Sequence, residues 1–106
     1  MKTEATKIEK TVKFENIKIH SEKIRIENYF ELAKSCVNNP SDSLPIDEIR
    51  GRLELIALFD TKEDFVYMNI KQVNKLIGII SSTRWVVVDK VIIDFADYVT
   101  GLKELF

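Results

Sequence analysis

One cysteine, one histidine, three glycines and two prolines in 106 residues leave little material for several common kinds of chemistry. Zinc sites draw on several thiolate and imidazole ligands, and Cys36 with His20 supplies one of each. A single cysteine closes no intramolecular disulfide. Gly51, Gly78 and Gly101 are too widely scattered to form a glycine-rich phosphate loop. The DTKED stretch, residues 60 to 64, has neither the alternating oxygen ligands nor the turn glycine of a calcium loop. The apolar runs 85 to 88 and 91 to 93 are interrupted by Asp89 and Lys90 and fall far short of the ~20 residues of a membrane span. Near Met1, Lys2 and Glu4 stand where a secretory leader needs an apolar core. The expectation is a cytoplasmic protein with no metal, no cofactor and no membrane contact.

An excess of one charge is missing as well. With 16 Lys and Arg against 17 Asp and Glu the net charge is -1, which disfavours both a strongly basic nucleic-acid packer and a polyanionic mimic. What is present is a 45% hydrophobic and 31% charged composition, fit for one globular domain over residues 1 to 106.

Periodicity divides the chain. Residues 6 to 20 alternate apolar and polar, with Ile8, Val12 and Phe14 on one parity and Ile17 and Ile19 on the other, which predicts a bulged strand or a tight hairpin breaking at Glu15-Asn16. Ile26, Tyr29, Phe30, Ala33 and Val37 then fall at helical spacing, predicting a helix over 22 to 37 with Ser21 as its cap. NNPSDSLP, 38 to 45, reads as a loop, and residues 45 to 50 as a helical turn closed by Gly51. LELIALF, 53 to 59, and FVYMNI, 65 to 70, read as a hairpin turning at 60 to 64 with both faces covered. Val73, Leu76, Ile77 and Ile80 predict a helix over 71 to 81. The β-branched run 84 to 88 predicts a strand, and Asp89 caps a final helix striped by Ile92, Phe95, Ala96, Val99, Leu102 and Phe106, with a hairpin at Asp89-Lys90 as the rival. The expected fold is α+β, a mainly antiparallel sheet of about 4 to 5 strands packed with 2 to 3 helices in a single domain.

Candidate chemistry is sparse. Cys36 lies near a helix end whose dipole raises a thiol pKa, so it reads as a packed thiol beside a surface His20. Asp60, Glu63, Asp64, Asp94 and Asp97 read as solvated carboxylates. Residues 1 to 25 hold seven Lys and Arg against four Glu, a surplus of +3 that leaves -4 for the remainder. Lys10, Lys13 and Lys18 could line a phosphate-tracking face with Phe14 for stacking, or they could simply guard an edge strand.

Large apolar residues are numerous for so short a chain. Tyr67, Trp85, Tyr98, Leu102, Leu105 and Phe106 are the candidate protein interface, since a core this small cannot take them all. The leading expectation is a non-enzymatic binding or regulatory protein that works through protein contacts, as an inhibitor, adaptor or immunity-type partner, and that self-associates as a homodimer. The alternative is a single-stranded or nonspecific nucleic-acid binder using the basic N-terminal strands.

Overall fold

The computed structural model describes residues 9 to 106; the contributions of Lys2, Lys7 and Ile8 to the first strand and its basic face lie outside them. The elements run β1 (Val12–Glu15), α1 (Tyr29–Asn38), α2 (Ile46–Phe59), β2 (Phe65–Met68), α3 (Ile70–Ser82) and α4 (Lys90–Lys103). Among the described residues the sheet has two strands, so the expected sheet of 4 to 5 strands is corrected to one antiparallel ribbon under four helices. The α+β character stands; the balance between its parts moves toward helix.

β1 and β2 pair with Val12 opposite Met68 and Glu15 opposite Phe65. Alternation does the rest: Val12, Phe14, Val66 and Met68 turn inward and are buried, while Lys13, Glu15 and Tyr67 face out. The expectation that both sheet faces are covered, one by helices and the other by further protein, is therefore overturned on the outer face, where Tyr67 is exposed. A two-stranded ribbon is marginal in water, and this one is held by its packing on the helices. The free edge of β1 is partly closed by Tyr98 of α4, whose hydroxyl accepts the Glu15 N–H at 2.8 Å. Tyr98→Phe is expected to cost about 1 kcal/mol in calorimetric unfolding, the usual worth of one such bond. No measurable change would show that water replaces the hydroxyl there.

Three sequence readings are corrected, each for a physical reason. The helix expected from residue 22 begins at Tyr29, because Ile24 and Ile26 follow the period of a strand and the Ser21 hydroxyl accepts the Lys23 and Ile24 amides in a turn. Asn28 supplies the cap, accepting the Glu31 N–H at 2.9 Å. Residues 17 to 28 instead fold back on themselves, with Ile19 N–H bonded to Glu27 and Tyr29 N–H to Ile17.

The second correction is the largest. Residues 53 to 59, expected as a strand, are the second half of α2, a helix of 14 residues. Leu, Ala, Glu and Arg are strong helix formers, and Arg52, Leu55 and Phe59 sit on one buried face at helical spacing. Gly51 does not end that helix; it lies mid-helix without positive φ, where an added Cβ would meet the Lys75 side chain crossing from α3. Residues 60 to 64 accordingly connect α2 to β2.

The third concerns 84 to 88, which is unpaired and bends at Val86–Val87. Trp85 and Val87 turn partly inward while Val86 and Val88 stand in solvent, so the β-branched run finds no ladder partner and forms no strand. The last two helices stand: α3 spans Ile70–Ser82 with a capping box between Asn69 and Gln72, and Asp89 caps α4 by accepting the Val91 N–H at 2.9 Å. α4 ends at Lys103 and leaves Phe106 outside its stripe, while the strands expected over 6 to 20 and 65 to 70 shorten to Val12–Glu15 and Phe65–Met68 among the described residues. The rival hairpin at Asp89-Lys90 is absent.

One core unites these elements. Phe14 lies at its centre, with ring centroids of Phe59, Tyr98 and Phe30 at 5.1, 5.3 and 5.8 Å. Phe95 and Val99 bring α4 onto the same cluster, and Val73 and Leu76 bring α3. No helix among the described residues is long and apolar enough to cross a membrane.

Candidate functional site

Beside its core-facing side, α2 carries a second apolar stripe. Ile46, Ile49, Leu53 and Ile56 recur at spacings of three, four and three, so they form one seam along about three turns. Ile46 is 66%, Ile49 42% and Leu53 57% exposed, while Ile56 packs half-buried at the seam's end. Beside the seam, Val37, Pro40 and Leu44 complete a depression of about 250 Å³ with Ile49, Leu53 and Ile56. Asp47, Arg50 and Glu54 flank it, giving its rim both signs of charge.

α2 can present this seam because its inner face is firmly anchored. The Arg52 side chain is 8% exposed as a residue, donates through Nη1 to the Val37 carbonyl at 3.0 Å, and pairs through Nε with Glu48 at 3.2 Å. Glu48 also accepts from Lys75 Nζ at 2.9 Å, tying α2 to α3. That Lys75 hydrogen bond is the main reason the Glu48 carboxyl is held below its ordinary pKa, with Arg52 adding to it.

The six residues expected as an interface separate into two groups. Leu102 is 4% exposed and belongs to the core, so its assignment to an interface is corrected: the α4 stripe spends it on intramolecular packing. Trp85 and Tyr98 are half-buried against the same core. Tyr67 on the outer sheet face, with Leu105 and Phe106 at the chain's end, is exposed. Sequence reasoning missed the α2 seam because LELIALF also fits alternation; the signal was the spacing of Ile46, Ile49, Leu53 and Ile56.

On the basic side, Lys10, Lys13 and Lys18 are exposed, but β1 pairs with β2, so Tyr67 is what lies opposite Lys13. Lys13 Nζ sits 4.5 Å from the Phe65 ring centroid, a cation–π contact. Phe14 is 0% exposed, which corrects its role as a stacking ring: it is the hub of the core.

Burial pushes the Cys36 thiol up to about 11, so at neutral pH it is protonated, while His20 is exposed. Asp89 is held low, chiefly by the Ser21 hydroxyl at 2.6 Å, in service of the α4 cap. No group of three or more His, Cys, Asp or Glu placed to hold a metal occurs among the described residues. No protein family, curated protein or solved structure matches this chain.

Proposed function

We propose that the chain is a cytoplasmic, non-enzymatic binding protein that acts through protein contacts and self-associates through α2. The observation that supports this is the exposed seam of Ile46, Ile49 and Leu53 on a helix whose inner face is already fixed in the core. An antiparallel two-fold pair would set Ile49 against the partner's Leu53 and bring Arg50 near the partner's Glu54, so the rim charges complement themselves.

Magnitudes set the strength. Fully burying a large aliphatic side chain is worth about 1.5–3 kcal/mol, and these three are roughly half exposed, so a symmetric pair gains on the order of 5–9 kcal/mol. Association costs about 4–15 kcal/mol, so self-pairing is weak and reversed by dilution. A weak self-contact leaves the seam available to another chain, as an inhibitor, adaptor or immunity-type partner requires.

Sedimentation from micromolar to millimolar concentration is expected to show reversible dimerisation, and Leu53→Asp to abolish it without loss of helix signal in circular dichroism. A parent that stays monomeric throughout, or a variant that dimerises as well as its parent, removes the α2 seam from the self-contact.

A further inference from the structure

A cleft of about 350 Å³ opens between the irregular segments 23–26 and 83–87, on the side of the molecule served by Cys36 of α1. Ile24, Leu32 and Trp85 supply its apolar lining, and Lys23, Arg25 and Arg84 line it too, with no carboxylate among the lining residues. In a chain of net charge -1 this is a concentration of three cations at one recess. Arg25 and Arg84 enter no ion pair or side-chain hydrogen bond among the described residues. Lys23 is engaged, donating to the Val88 carbonyl at 3.0 Å, and its acidic neighbour Asp89 is committed to Ser21 and Val91. Two arginines with no internal acceptor therefore line an apolar recess of the size that takes a small molecule.

We propose that this cleft binds a small amphiphilic anion. The apolar body lies along Ile24, Leu32 and Trp85, and the terminal oxyanion, a carboxylate or a phosphate, is held by Arg25 and Arg84. A guanidinium presents planar paired donors that match either head, and the low-dielectric wall strengthens the contact. The volume limits the body to a single short chain or ring. The site is separate from the α2 seam, so it stands or falls independently of the proposed self-contact.

Trp85 is the sole tryptophan, so its emission reports on the cleft directly. Decanoate and decyl phosphate are the probes, with 1-decanol and inorganic phosphate as the body and head alone, and isothermal calorimetry as the second readout. At least one amphiphilic anion is expected to saturate in both readouts, with decanol and inorganic phosphate weaker by about tenfold or more, the worth of a charge-assisted hydrogen bond. Whichever of the two anions binds tighter assigns the head. The double variant Arg25→Gln with Arg84→Gln, at exposed positions that anchor nothing in the fold, is expected to reduce the anion's affinity to that of decanol. Absence of calorimetric saturation by both anions, equal binding of decanol, or full affinity in the double variant with an unchanged circular dichroism spectrum overturns the proposal.

Discussion

Phe14→Ala is expected to lower the free energy of unfolding by about 3–5 kcal/mol, a large share of the roughly 5–15 kcal/mol that holds a domain together. The ring is fully buried and touches three other aromatic rings, from α1, α2 and α4. Truncation removes both the transfer energy of the ring and the edge contacts with Phe59 and Tyr98, and the site cannot collapse easily. Four elements would have to close on the void, and the β1 backbone is pinned by its pairing with β2 and by the Tyr98 hydroxyl. Phe14→Leu retains most of the volume and is expected to cost about 1–1.5 kcal/mol. Urea denaturation of both variants checks the pair; a loss below about 1.5 kcal/mol for the alanine would show that Phe14 is not the hub.

α3 and α4 were legible in the sequence because each has one apolar stripe and a polar remainder. Val73, Leu76 and Ile80 set the period in α3, and in α4 the run of Ile92, Phe95, Val99 and Leu102 outweighs the β-branched start that also fits a hairpin. α2 was misread for the reason that makes it interesting. Leu55 and Phe59 face the core while Leu53 is exposed and Ile56 half-buried at the core's margin, so apolar residues occupy both parities and the helical period is blurred. A helix with one apolar face reads clearly; a helix with two reads as a buried strand. The misreading of 84 to 88 has a different origin, since local β preference does not supply a pairing partner, and without one the segment bends at Val86–Val87. The cleft was invisible for a related reason: Arg25 and Arg84 are 59 positions apart, and nothing in composition brings them to one recess.

Arg52→Ala is expected to cost about 2–4 kcal/mol, because it strands groups on two helices at once. The Val37 carbonyl lies in the last turn of α1, where helix carbonyls have no partner within the helix, and α1 has no basic residue of its own there. Arg52 supplies the missing donor from α2 at 3.0 Å. Without it that carbonyl remains beside Val37, itself in the core, and the packing of the arginine stem is lost too. Glu48 suffers less, since its side chain is partly exposed and keeps Lys75 at 2.9 Å. Glu48→Gln is therefore expected to cost under about 1 kcal/mol, and a double-mutant cycle with Arg52→Ala separates the carbonyl contact from the ion pair. The pH dependence supplies an independent check. A carboxyl whose pKa is lowered by folding stabilises the fold above its unfolded pKa and loses that contribution as pH falls through the folded value. Glu48 thus adds to an acid limb below about pH 4, still present but smaller in Arg52→Ala because Lys75 remains, and absent in Glu48→Gln. Denaturation midpoints of the three proteins between neutral and acid pH decide it: a loss below about 1 kcal/mol for Arg52→Ala at neutral pH would mean that water reaches the Val37 carbonyl and that α1 and α2 are not joined through this arginine.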